Sequence, residues 1–531
     1  MANTMSAHAR TAILQQMAEQ PLDLLVIGGG ITGAGIALDA QVRGLRTGLI
    51  EMQDFAAGTS SRSTKLVHGG LRYLKQLEFK LVAEVGKERN IVYENAPHVT
   101  TPIRMLLPFY EGGTFGRWST SIGLWVYDLL AQVERAERRV MLTREETLAR
   151  VPILKQEGLI GAGDYVEYRT DDARLTLEIM KSAVQRGAKA VNYAKVTRLL
   201  YEQQKVIGAE VTDQLSGQTW LIRAHSVINA AGPWVDQVRE MDQSKQGKTL
   251  HLTKGVHLVF DGARLPLSEA LYFDTPFRDK RMIFVIPRDG KTYVGTTDTN
   301  YAGDMEHPET TEEDIEYLLA AVNGMFPGQQ LTRADIESDW AGLRPLIHEE
   351  GKSPSELSRK DEIWVSPSGL LSIAGGKLTG YRKMAEKAVD HVAKKYAERT
   401  GVRLPGCSTA QIRLSGGYRG GSQEMKQRFS EQIERGVALG LEREVSLMLC
   451  QRYGANVEEV FRLLGKMAPS DLPPDISPTV AAVIQYSMTH EMAVTVEDVL
   501  VRRTSAKWFQ ADWAASSERG IRGFMEQVKV N

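Results

Sequence analysis

Residues 23–51 read DLLVIGGGITGAGIALDAQVRGLRTGLIE, and this stretch decides the fold. It opens on a short apolar run, Asp23 to Ile27, of the kind that forms a parallel strand buried on both faces. Glycines follow at once. Gly28, Gly30 and Gly33 fit G-x-G-x-x-G: the first makes the tight turn, the second lets backbone approach a pyrophosphate, and the third lets the next helix pack close to the strand. Ile31 to Arg43 carries small and apolar residues with helical character, and Leu45 to Ile50 is a second apolar run. A helix starting at Ile31 offers the free amides around Thr32, and a partial positive charge, to an anion. Glu51 stands 23 residues after Gly28, where an acid accepts hydrogen bonds from both hydroxyls of an adenosine ribose and disfavours a 2′-phosphate. A strand–loop–helix–strand unit with a terminal Glu predicts an α/β dinucleotide-binding domain. The loop alone does not separate flavin from nicotinamide.

The next stretch, residues 54–74, reads DFAAGTSSRSTKLVHGGLRYL. Thr59, Ser60, Ser61 and Lys65 offer small donors and a cation, and with Gly58 they let backbone amides contact phosphate and a flavin edge. His68-Gly69-Gly70 sets one imidazole beside backbone without side-chain bulk, and Arg72 and Tyr73 follow. Here the chain resembles the FAD-dependent, aerobic, quinone-linked glycerol-3-phosphate dehydrogenases. The resemblance continues through Asp171-Asp172-Ala173-Arg174-Leu175, INAAGPWVD (228–236), Lys254-Gly255-Val256-His257, FVIPRDG (284–290), VGTTDT (294–299), Gly342-Leu343-Arg344-Pro345-Leu346 and GGKLTGYRK (375–383). It implies a glycine-oxidase-like fold: a Rossmann-type FAD domain over 1–85, 160–235 and 345–404, interleaved with an α+β substrate domain over 86–159 and 236–344. Residues 405–531 read as a separate helical domain, after a change of character at Leu404-Pro405-Gly406.

The implied reaction moves a hydride from C2 of sn-glycerol 3-phosphate to FAD, giving dihydroxyacetone phosphate, with a quinone as the later electron acceptor. A phosphate dianion calls for guanidinium groups, which bind it through two parallel charge-assisted bonds. Arg344 is the first candidate and Arg359, whose family counterpart lines the phosphate pocket, the second. His68 is the leading general base, because imidazole titrates near neutral pH. Arg72 and Tyr73 are substrate contacts beside it, and His257 is a weaker alternative base. Gly376, Lys377, Leu378 and Thr379 precede a helix whose N-terminus favours negative charge on the flavin, and Lys377 adds a full charge within reach of substrate. Asp171, Asp172 and Arg174 read better as structural ion pairs than as catalytic acids, and Asp298 has the same status. An enzyme on this fold that oxidises amino acids, sarcosine or 2-hydroxyglutarate is the first alternative and a non-enzymatic FAD scaffold the second; an amine substrate would require carboxylate recognition without the HGGLRYL constellation, and the candidate charged groups argue against a scaffold.

Composition agrees. The chain has 531 residues and a formal net charge of −1, so no global basic field argues for nucleic acid. Two cysteines, Cys407 and Cys450, make neither a disulfide framework nor a structural zinc site, and no metal is expected. The polar first 21 residues lack the apolar core of a signal peptide. No apolar run approaches the ~18 residues of a membrane span. The expectation is a cytoplasmic protein, with peripheral contact at the inner face of the membrane and a homodimer both compatible with it. Trp118, Ile122, Trp125 and Leu129 recur at helical spacing, more in keeping with a core-facing helix than an interfacial one. Arg502-Arg503 reads either as a contact for lipid or a partner, or as a solvated helix face. Capping boxes are expected at Thr143/Glu146, Thr310/Glu313 and Thr495/Asp498.

Overall fold

The structure is a computed structural model. It describes residues 5–68, 79–113, 138–277, 279, 281–348 and 361–530. Arg72, Tyr73, Arg359 and the 117–130 segment lie outside the described residues.

Ten elements position the site: β1 (Leu22–Ile27), α1 (Ile31–Val42), β2 (Thr47–Ile50), β3 (Leu159–Thr170), α2 (Asp172–Gln185), β4 (Thr219–Asn229), β5 (Leu250–Asp261), β6 (Ile336–Ile347), β7 (Leu371–Ala374) and α3 (Tyr381–Thr400). In the first sheet, β7, β4, β1, β2 and Lys189–Val191 run parallel in that order, with Glu362–Val365 antiparallel at one edge. The continuous apolar run of β1 follows from burial on both faces. Leu24 and Val26 enter one core, under α1, α2 and α3; Leu22, Leu25 and Ile27 enter another, under the helix Arg10–Glu19 and a hairpin of Ala194–Glu202 and Lys205–Asp213. Gly35 lets α3 lie against α1, since a Cβ there would stand 2.8 Å from the Tyr381 ring.

The second, ten-stranded sheet is almost wholly antiparallel. Its centre for function is the long pairing of β5 with β6, which sets Thr253 opposite Arg344 and Gly255 opposite Gly342. The expected boundary at residue 160 falls inside this sheet. β3 pairs with Thr100–Tyr110 along nearly its whole length, and with Leu66–Val67 from the block assigned to the cofactor domain. The chain crosses to the first layer only at Asp171, because a twelve-residue strand keeps its ladder hydrogen bonds to the end. β6 likewise runs on to Ile347, past the boundary expected at 345.

After Ala374 the described chain is helical, with Gly421–Ala438, Arg443–Tyr453, Val457–Leu464, Pro478–His490 and Ala511–Val530 as its main helices. The expected caps form at Thr143/Glu146 and Thr495/Asp498. The third forms one residue later, between Thr311 and Asp314, because the Thr310 hydroxyl bonds Asp339 instead.

Arg502-Arg503 corrects both expectations for that pair. The two side chains are buried against carboxylates of the chain itself. Arg502 Nε lies 2.6 Å from Asp54, and Arg503 donates to both Asp54 oxygens at 2.7 and 2.9 Å. Arg503 also donates to the Glu491 carbonyl, while the Glu491 carboxylate accepts from Arg174 and Lys181 of α2. This ionic cluster fastens the C-terminal helical region to the loop that follows β2. Arg174 thus has the structural role expected of it, as have Asp171, paired with Arg288 at 3.0 Å, and Asp172, paired with Lys65 at 2.7 Å.

Candidate cofactor and substrate site

The Gly28 amide, leaving β1, donates to the Ile50 carbonyl, and Gly28 turns with φ +112°. A Cβ on Gly28 would lie 2.5 Å from the Ala230 carbonyl oxygen, and one on Gly33 only 1.9 Å from the Gly28 oxygen. Gly28 and Gly33 therefore make the turn and the close packing that the spacing predicted, and Gly30 faces the cavity. Gly30 is the N-cap of α1, and Ser60 Oγ accepts the Ile31 amide at 2.9 Å. The Thr32 and Gly33 amides are left at the helix end without intrahelical partners.

Glu51 is fixed by two amides, from Gly29 at 2.6 Å and Gln53 at 2.7 Å. Burial raises its pKa to about 6 in spite of these bonds. Without cofactor, Glu51 therefore stabilises the fold below its ordinary 4.5 and loses that contribution as pH rises through about 6. Ribose hydroxyls donating to the carboxylate favour the charged form. FAD affinity should thus fall about 10-fold from about pH 7.5 to about pH 5, as charge-assisted bonds become neutral ones. Equilibrium titration of the flavin checks this, with Glu51→Gln expected to flatten the profile.

One cavity runs from this loop across both sheets. Gly28, Gly30, Thr32, Glu51, Thr59, Ser60, His68, Arg344, Gly376, Lys377, Leu378 and Thr379 all line it. Three candidate cofactor residues do not. Gly33 packs beneath the loop, and the Ser61 hydroxyl is buried and outside the cavity lining, with no hydrogen-bond partner among the described residues. Lys65 is a correction: it is 1% exposed, and its ammonium bonds Asp172 at 2.7 Å and the Ser61 carbonyl at 2.9 Å, so its charge serves an internal ion pair.

Arg344 projects from β6 across Gly255, where a Cβ would stand 2.3 Å from Nη2. The glycine of the KGVH motif thus makes room for the guanidinium. Thr296 Oγ1 at 2.9 Å, the Thr297 carbonyl at 3.1 Å and Asp298 at 3.1 Å hold it in place. Asp298 is a structural partner, as the sequence suggested. Gly375 and Gly376, with φ +74° and +82°, turn the chain from β7 into a 3-10 turn, Leu378–Gly380, which Lys377 caps and which leads into α3. The Thr379 hydroxyl accepts from the His68 amide at 3.1 Å, tying the histidine to this turn. The His68 ring stands edge-on to Phe284. His257 is buried, stacked on Trp340 at 4.7 Å and bonded through Nε2 to Thr64. Burial, with Arg344 and Lys65 nearby, holds its pKa well below the ordinary histidine range, so it is a neutral, packed ring and a poor proton acceptor.

Sequence reasoning missed the Glu51 end of the cavity, where Met52, Gln53, Ala194, Val196 and Trp234 form the wall. Most are apolar strand or loop residues with no signature of their own. Trp234 had a signal, since it sits in the INAAGPWVD motif and covers Gly58, whose Cβ would be 3.2 Å from its ring.

An anion cradle of helix amides, a carboxylate at ribose distance along the chain, and a glycine turn opening a second helix onto the same cavity fit FAD. Fold and site define a flavoprotein oxidoreductase. The family described as FAD dependent oxidoreductase matches residues 23–382, and the C-terminal domain of alpha-glycerophosphate oxidase matches residues 407–529. The aerobic glycerol-3-phosphate dehydrogenase of Bacillus subtilis is 54% identical over 527 residues, covering 99% of this chain and 95% of that protein. That of Staphylococcus aureus is 53% identical over 508 residues, covering 95% and 90%. The glycerol-3-phosphate dehydrogenase of Bacillus halodurans, solved with FAD, superposes with a TM-score of 0.82 at 48% identity over 99% of this chain and 97% of that one. Glycine oxidase from Bacillus cereus, at 19% identity and TM-score 0.52 over 70% of this chain and 98% of that one, shares the fold. The chain belongs to the FAD-dependent aerobic glycerol-3-phosphate dehydrogenases.

Proposed function

We propose that this enzyme oxidises sn-glycerol 3-phosphate at C2 to dihydroxyacetone phosphate and delivers the electrons to a quinone. FAD, when bound, supplies the two-electron acceptor. Arg344 takes two oxygens of the substrate phosphate, and Lys377 adds charge. His68 accepts the C2 hydroxyl proton. The start of α3 favours negative charge in its vicinity. Arg72, Tyr73 and Arg359 complete the substrate contacts by resemblance. The observation that carries this reading is one cavity lined by the phosphate loop, His68, Arg344 and Lys377 together. Among the described residues no helix is long and apolar enough to cross a membrane.

Anaerobic bleaching of the flavin is the test. The holoenzyme should lose its yellow colour on addition of sn-glycerol 3-phosphate and regain it with a short-chain quinone. An unchanged spectrum would reject the substrate, and a reduced flavin that quinone leaves colourless would reject the acceptor. Arg344→Ala should raise the substrate concentration for half-bleaching roughly 100-fold, the scale of a lost bidentate charged contact.

A further inference from the structure

Arg62 stands in the cavity wall with almost none of its hydrogen-bonding capacity used. It closes the turn Thr59–Ser61, its amide donating to the Thr59 carbonyl at 3.2 Å. That turn rests on the start of α1 through the Ser60–Ile31 bond. From the other side β6 presses on it: a Cβ on Gly342 would meet the Arg62 carbonyl oxygen at 2.3 Å. The backbone of Arg62 is therefore clamped between the phosphate loop and the strand that carries Arg344.

Its side chain lines the cavity, and Nη1 donates to the Glu306 carbonyl at 3.1 Å. Among the described residues this is its one side-chain hydrogen bond, and no carboxylate pairs with it. The contrast with its neighbours is sharp. Arg344 has Asp298, while Arg502 and Arg503 share Asp54. A guanidinium has five N–H donors, and a half-buried one with a single neutral acceptor is under-compensated. Burial, and the positive charge of Arg502, depress its pKa against the opposing pull of Glu497 and Asp304.

We propose that Arg62 is a phosphate-binding residue, its guanidinium fork taking oxygens of a phosphate group on the ligand that fills the cavity. Two sources share this chemistry: the FAD pyrophosphate, favoured by the contact of the turn with the start of α1, and the phosphate of the substrate. The second source rests on the proposed function; the first does not.

Holoenzymes carrying Arg62→Ala and Arg62→Lys separate the two. Flavin fluorescence after dilution reads the FAD dissociation constant, and anaerobic bleaching reads the substrate concentration for half-reduction. The expected result for Arg62→Ala is an FAD dissociation constant raised about 10- to 100-fold, with Arg62→Lys between it and wild type, the range of a hydrogen bond to a charged group. The temperature of flavin release should fall in step. An unchanged FAD constant with a raised half-reduction concentration would assign Arg62 to the substrate phosphate. If neither moves, Arg62 binds no phosphate and serves only to hold the Glu306 segment. Should the alanine variant not fold, Arg62→Lys carries the same comparison. Wild-type enzyme that binds FAD yet does not bleach would reject the proposed substrate while leaving the FAD arm standing.

Discussion

Gly33→Val should yield a protein that is purified without colour. The Cβ would arrive 1.9 Å from a backbone oxygen of Gly28, and a backbone atom has no rotamer by which to withdraw. Either α1 lifts off β1, or the loop opens. Both turn the amides at the helix start away from the position where they cooperate on one anion. Gly28 has little room to absorb the shift, because the Ala230 backbone lies so close that even a Cβ on Gly28 would stand 2.5 Å from its carbonyl oxygen. Losing two or three charge-assisted bonds at once predicts an FAD dissociation constant raised by roughly 1,000-fold or more. The ratio of flavin to protein absorbance, followed by an FAD titration, reads the effect. Gly44→Ala is the control. Its φ is positive, +95°, and nothing lies within 4 Å of a Cβ there, so backbone strain should cost stability without releasing the cofactor. A Gly33→Val protein as yellow as wild type would refute the geometry described for the loop.

Asp54→Ala should be the most destabilising single change outside the glycine loop. Two buried guanidinium groups meet on this carboxylate, and removing it leaves them partly uncompensated, at a cost of about 3–5 kcal/mol. Burial alone would raise the pKa of Asp54; Arg503 and Arg502 pull it down to about 2. Glu491, likewise buried and faced by Arg174 and Lys181, is held at about 2. Both folded-state values lie below the ordinary 3.8 and 4.5, so these carboxylates contribute stability above that range and lose it as pH falls toward about 2. Acid unfolding of the wild type should therefore begin below about pH 4, with release of the C-terminal helices as the early event. Limited proteolysis and denaturant midpoints of Asp54→Ala at neutral pH provide the comparison. A wild-type midpoint would mean that the cluster is not a clasp.

Features that the chain encodes within a few residues were legible from the sequence. The glycine loop can be read because turn, approach and packing are steric demands made at fixed spacing, and Glu51 because it closes the adjoining strand. The motifs singled out Arg344 and Lys377, both of which stand on the cavity wall, and Gly255 proved to be the space into which Arg344 folds. Ion pairs across long separations were not. Lys65 looked like a phosphate ligand among hydroxyls, but Asp172, 107 positions away, takes its charge. Arg502 and Arg503 looked like a surface pair because their partner Asp54 is about as far off as the chain allows, 448 and 449 positions. Helical periodicity reports which face is apolar and says nothing of a buried charge whose counterion arrives from elsewhere. The expected crossing at residue 160 failed for a related reason, since strand hydrogen bonding carries β3 on to Thr170. Val196 and its neighbours at the Glu51 end carry no chemistry that composition could reveal.

The separation between Asp54 and Arg503 also bears on how the protein comes to be made. Synthesis runs from the N-terminus, and domains tend to fold as they emerge. Here the loop beside the phosphate cradle leaves the ribosome well before the arginines that secure it, which follow 448 and 449 positions later. β7, which completes the parallel sheet beside β4, also comes late. The brace on this loop therefore forms only after Arg503 has been made, so a chain halted before Arg502 carries the phosphate loop without the side chains that hold Asp54.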